Sequence, residues 1–121
     1  MFDLEYNLYR MRLIRAQYKY VWNKILKPLR ISDMDLATLL MPDNASPKAI
    51  KNLYTSINQW ANGKSQLSSN QIHSIIQFAA KKDIVLEFEK MYESPGYTHH
   101  RYQYEKENAI SIEQDVKQLT H

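Results

Sequence analysis

The sequence predicts an all-α fold: a compact bundle of about five helices with a long N-terminal helix and a C-terminal extension. Three observations carry this. Through the first 93 positions, apolar residues recur mainly at three- and four-residue steps. The joints between these stretches hold serine or proline starts and glycine or proline stops. Hydrophobic residues are 44% of the 121 positions and charged residues 24%, which suits one modest core and excludes a disordered chain.

Residues 3–27 read as the first helix, with Leu4, Leu8, Met11, Ile14, Tyr18, Val21, Trp22, Ile25 and Leu26 as its apolar stripe. Asp3 is placed to cap it, Glu5 suits the positive end of the helix dipole, and Pro28 ends the pattern. A helix this long is expected to bend at the polar Arg15-Ala16-Gln17. A short second helix opens at Ser32, where Asp35 three residues on makes a capping box. It carries Met34, Leu36, Ala37, Leu39 and Leu40 and closes at Pro42.

Ser46-Pro47 starts the third helix, serine as cap and proline as first helical residue. Ile50, Leu53, Ile57 and Trp60 make one narrow seam, and Gly63 stops the helix because glycine takes the left-handed conformation at little cost. Ser68 with Gln71 is a second capping box, with Leu67 and Ile72 spaced as a hydrophobic staple. The fourth helix continues through Ile75, Ile76 and Ala79. The segment "DIVLEFEKMYE" reads either as a fifth helix capped by Asp83, with Val85, Phe88 and Tyr92 inward, or as a short strand. Ser94-Pro95-Gly96 divides a helical domain, 1–93, from an extension, 94–121, that reads as an arm or strand followed by a short helix.

Charge is unevenly spread. Positions 1–82 hold 12 bases and 5 acids, whereas 83–121 hold 4 bases and 8 acids. No acid occurs from Asn7 to Ser32, a span that carries Arg10, Arg12, Arg15, Lys19, Lys24, Lys27 and Arg30. A basic body of this kind suits an anionic partner or simply a solvated face. The absence of cysteine excludes disulfides and thiolate metal sites. No apolar run is long enough to span a membrane, and the acidic start is unlike a secretion signal, so a cytoplasmic protein with no membrane partner is the expectation.

Leu36-Ala37, Ile57, Trp60, Gly63, Lys64 and the run from Ser68 to Ala79 follow the order of features in the lambda-repressor-like helix-turn-helix family, also called the Cro/CI or XRE type. The chain resembles that family over roughly residues 19 to 84, most specifically at "INQWANGKSQLSS". The tight turn of the family is replaced here by "LLMPDNASPKAI". The resemblance implies a DNA-binding transcriptional regulator, a small repressor of phage or plasmid type that meets double-stranded DNA as a homodimer. The third helix would be its recognition helix.

The residues of that helix suit the task on chemical grounds. Its seam can dock inward while Ser46, Lys48, Lys51, Asn52, Thr55, Asn58 and Gln59, with Lys64 beyond it, face out. Asn52, Asn58 and Gln59 have the amides that read adenine edges; Lys48, Lys51 and Lys64 suit phosphate or guanine; Thr55 suits the backbone or a methyl group. Ser46 stands at a helix N-terminus, which favours phosphate. Arg10, Arg12, Arg15 and Lys19, interleaved with Tyr6, Tyr9, Tyr18 and Tyr20, fit either a dimer interface or backbone contacts. Each of these positions also fits a solvated helix face. A protein-binding adaptor or inhibitor, or an antitoxin whose acidic tail orders on a toxin, is the rival reading and implies a protein partner.

No catalytic constellation stands out. Glu87 and Glu89 point to different faces of a helix, His99-His100 lacks companion ligands, and His73 falls on a polar face. Glycine-rich phosphate loops and nucleophile elbows are absent, so neither enzymatic activity nor a cofactor or metal is expected. Trp22 and Trp60 read as core anchors.

Overall fold

The computed structural model describes residues 4–91 together with Lys106 and Glu107. Asp3, Tyr92, the His99-His100 pair, the expected helix from Ser111 and most of the expected arm or strand at 97–107 lie outside the described residues; the two described positions of that arm, Lys106 and Glu107, are helical rather than extended. Among the described residues there are five helices and no strand. Helix α1 covers 26 residues, α-helical over Leu4–Val21, π-helical over Trp22–Leu26 and α-helical again over Lys27–Leu29. Helix α2 is Asp33–Leu40, α3 Pro47–Ala61, α4 Ser69–Lys81, and α5 the single turn Phe88–Met91.

The starts follow the local signals. Ser32 and Asp35 exchange both bonds of a capping box, at 3.1 Å to the serine hydroxyl and 2.9 Å to the carboxylate. These bonds hold the Asp35 carboxyl below its usual range. Ser46 accepts from the Ala49 N–H with Pro47 behind it, and Ser68 with Gln71 repeats the box.

Three stops share one geometry. In each, the residue after the helix takes a left-handed conformation and two N–H groups bond back to the last turn. Ile31 reaches the Leu26 carbonyl across Arg30, Lys64 that of Gln59 across Gly63, and Ile84 that of Ala79 across Asp83. Only the middle one uses glycine. The reason is tertiary: a Cβ on Gly63 would stand 2.8 Å from the Met11 carbonyl oxygen and 2.7 Å from Cγ of Arg15, both on α1.

Two departures from the sequence pattern concern α1. It continues through Pro28, and its irregularity lies at Trp22–Leu26 rather than at Arg15-Ala16-Gln17. A proline ring strikes the carbonyl four residues back in a regular α-helix. The wider turn just before Pro28, closed by the Lys27 N–H on the Trp22 carbonyl, relieves that clash. In the stripe, Leu4, Leu8, Met11 and Trp22 are exposed, and burial begins at Ile14. At the first turn of α1 the described contact is polar, an ion pair of Glu5 with Lys106 at 3.3 Å. Met34 and Leu39 of α2 are likewise exposed, leaving Leu36 and Ala37 as its buried pair.

The end of the bundle also differs. Asp83 terminates α4 instead of capping a new helix, and Ile84–Glu87 is irregular. Val85 is 87% exposed and Phe88 71%, while Ile84 and Leu86 pack on the core.

Helix α3 is central: α1 and α2 both pack on it, α4 meets α2, and α5 returns to α1. Leu53, Ile57 and Trp60 of α3 meet Ile14, Val21, Ile25 and Leu26 of α1 within a core completed by α2, α4 and Met91. A polar contact sits inside it. The indole N–H of Trp60 donates to Oε1 of Gln17 at 2.9 Å, and Nε2 of Gln17 donates to the carbonyls of Lys90 at 3.2 Å and Met91 at 3.0 Å. Tyr20 adds a second tie, its hydroxyl accepting from the Glu87 N–H at 2.8 Å.

Gly63→Ala is expected to cost about 2 kcal/mol or more, combining left-handed strain with crowding of a helix backbone. Arg30→Gly relieves the same left-handed strain at an exposed position and is expected to stabilise by about 0.5–1 kcal/mol. Urea unfolding of the two variants checks both signs. Gln17→Leu leaves a sealed indole N–H without an acceptor, at a cost of about 1–3 kcal/mol. In a double-mutant cycle, Trp60→Phe therefore costs less in the Gln17→Leu background than in the wild type.

Candidate nucleic-acid interface

Helix α3 presents two chemically distinct faces. Leu53, Ile57 and Trp60 are buried, and Trp60 has no solvent exposure at all. Lys48, Lys51, Asn52, Thr55, Asn58 and Gln59 are exposed, as are Ser46 before the helix and Lys64 after it. The helix contains no acid, and neither does the chain between Asp43 and Asp83.

The exposed residues fall into two groups. Toward the C-terminus, Asn58 accepts from the Asn62 side chain at 3.0 Å, and Gln59 accepts from the Ser65 hydroxyl at 3.2 Å. Both amides are engaged by the turn that ends the helix. Toward the N-terminus, Lys48, Lys51, Asn52 and Thr55 form the outward set. The Thr55 hydroxyl donates to the Lys51 carbonyl, which leaves its methyl group and oxygen lone pairs for other contacts. Asn52 also lines an uncharged cleft of about 370 Å³, shared with Asn70 and Gln71 at the start of α4. Ser46 is committed as the cap of α3.

The cations of α1, grouped by the sequence, are divided by the fold. Arg12, Arg15 and Lys19, at steps of three and four, lie along one open groove of about 530 Å³ with Tyr18, Trp22 and Ala61. Arg10 is half-buried on another side of the helix, with its Nε buried and without a hydrogen-bond partner. Trp22, expected as a core anchor, is 38% exposed at the end of this groove. The signal that locates the groove was present in the sequence as the spacing Arg12, Arg15, Lys19, Trp22, but reading Trp22 as core concealed it.

Tyr18 ties the groove to the core. Its ring meets Trp60 edge-on, with centroids 5.3 Å apart and planes at 85°. Its hydroxyl donates to Oδ1 of Asp33 at 2.6 Å. Burial first, and then the hydrogen bond and negative charge of Asp33, push the phenol above its ordinary value.

Among the described residues no cluster of histidine and carboxylate side chains is arranged to hold a metal, and no helix is long and apolar enough to cross a membrane. His73 lies exposed on α4. Comparison with family models, with curated proteins and with solved structures yields no match.

The Tyr18 arrangement has a pH consequence. A raised folded-state value means that the neutral phenol stabilises the fold fully below the ordinary tyrosine value of about 10, and that this contribution is lost as pH rises above it. The stability difference between the wild type and Tyr18→Phe is therefore expected to be constant near neutrality and to shrink at alkaline pH. Urea titrations at several pH values, with tyrosinate absorbance followed in parallel, measure it.

Proposed function

We propose that this protein is a sequence-specific DNA-binding regulator of the helix-turn-helix kind, acting by occupancy of its site as a homodimer, without enzymatic activity. The observation that carries the reading is the N-terminal half of α3. It offers Lys48, Lys51, Asn52 and Thr55 on an acid-free outer face while Leu53, Ile57 and Trp60 hold the helix rigidly from within. A helix entering the major groove needs this division: amides and ammonium groups for base edges and phosphates, and an anchored opposite face. It also reads with its N-terminal residues, and here Lys48, Lys51 and Asn52 stand exposed in that half.

Asn52 takes the base-reading role, Lys48 and Lys51 hold the backbone, and Thr55 makes a short contact beside them. Asn58 and Gln59, bonded to the terminating turn, set the end of the helix instead. The exposed edge of Leu4, Leu8 and Met11 on α1, spaced by four and three, suits the seam between two copies. The same edge supports the rival reading, an adaptor that binds a different protein through α1.

Anisotropy titration against a pool of random duplexes at about 50 mM salt, followed by selection of the tightest binders, tests the proposal. Lys48→Ala and Lys51→Ala are each expected to lower the salt dependence by about one counterion equivalent on every duplex. Asn52→Ala is expected to cost about 1–3 kcal/mol on the selected duplex and little on random ones. Absence of duplex binding at low salt, with a folded protein, overturns the reading.

A further inference from the structure

We propose that the groove along α1 is a binding site for single-stranded nucleic acid, in which Arg12, Arg15 and Lys19 hold successive phosphates and Trp22 stacks on a base. The site is on a different helix from the duplex-reading face and does not depend on that reading.

The groove combines the two features that strand binding requires: a row of cations that follows a backbone, and an aromatic platform that any base can use. Arg12 and Lys19 are exposed, and no carboxylate lines the groove among the described residues. Asp33, the acid that Tyr18 reaches, accepts the Tyr18 hydroxyl and is partnered there. From Arg12 to Lys19 the helix rises by about 10 Å, more than a single phosphate needs and enough for two or three along a strand. A free mononucleotide therefore leaves part of the row unused.

Trp22 is held rather than loose. In the π turn that starts at Trp22, the Lys27 N–H bonds the Trp22 carbonyl. In a regular α-helix, residues five apart lie well apart around the axis; the wider turn brings them closer together. The Lys27 ammonium accordingly lies 5.7 Å from the centre of the indole. A cation there fixes the ring and adds charge beside the stacking position. A duplex keeps its base faces inside the stack, so this indole can meet a base face only on an unpaired strand.

The two tryptophans make the test direct. Trp60 is sealed in the core, so quenching by an added ligand reports on Trp22. The full-length protein is titrated at low salt with an oligothymidylate of about eight nucleotides and, separately, with inorganic polyphosphate. Oligothymidylate is expected to quench tryptophan emission, and polyphosphate to bind more weakly without quenching. By anisotropy of a labelled oligothymidylate, Trp22→Ala is expected to weaken binding about five-fold or more. The double variant Arg12→Ala/Lys19→Ala is expected to flatten the salt dependence. Lys48→Ala/Lys51→Ala, which tests the duplex-reading face, is expected to leave strand binding unchanged. The proposal is overturned by absence of quenching at low salt. It is equally overturned if polyphosphate matches oligothymidylate while folded Trp22→Ala binds as tightly as the wild type.

Discussion

The arrangement of this bundle depends on one half-buried polar contact, the indole N–H of Trp60 on the side-chain carbonyl of Gln17. Trp60 has no access to water, so its N–H must find an acceptor inside the protein or carry a desolvation cost. Gln17 supplies that acceptor and uses its own amide group to hold the carbonyls of Lys90 and Met91. One side chain thus joins α1, α3 and α5. Apolar packing alone would allow α1 to slide or rotate on α3; a hydrogen bond with two fixed ends does not. The close passage of α1 over Gly63 follows from this register, and so does the edge-on seating of Tyr18 against Trp60.

Because the register is set, the two surfaces of interest have defined places. The inner face of α3 is occupied by the core, which leaves its acid-free outer face available. On α1, the same contact turns Gln17 inward and Arg12, Arg15 and Lys19 along the groove that Ala61 of α3 also lines. The cations that look like one cluster in the sequence become a row of three and a separate, half-buried Arg10. The π turn has two consequences: it lets the helix continue through Pro28, and it brings Lys27 over the ring of Trp22.

The reading of α3 as a recognition helix and of the α1 groove as a strand site make different demands of the same body. The first rests on short amides and lysines at a helix N-terminus, the second on an exposed indole beside arginines. Helix α3 carries no acid, and the carboxylate beside the α1 groove, Asp33, is turned to the Tyr18 hydroxyl; a carboxylate lining either surface would oppose phosphate approach. Both surfaces also stand on elements locked by the core rather than on loops, which favours a defined contact geometry.

The starts of α2, α3 and α4, the amphipathic seam of α3 and the stop at Gly63 were legible in the sequence, because a cap, a proline or a glycine acts within one turn of itself. The sequence also showed which residues of α3 have no place in a core. Tertiary structure decided the rest. Leu4, Leu8, Met11 and Trp22 match a buried stripe in spacing, yet burial requires a neighbour, and no local pattern shows where neighbours end. Gln17 looked like a break in a helix until Trp60 and the carbonyls near Met91 were brought to it. Asp83 looked like a start and serves as a stop, because Ile84 folds back onto α4. Local chemistry determined where α2, α3 and α4 begin; contacts between residues far apart in the chain decided which faces are hidden, and therefore which remain to bind.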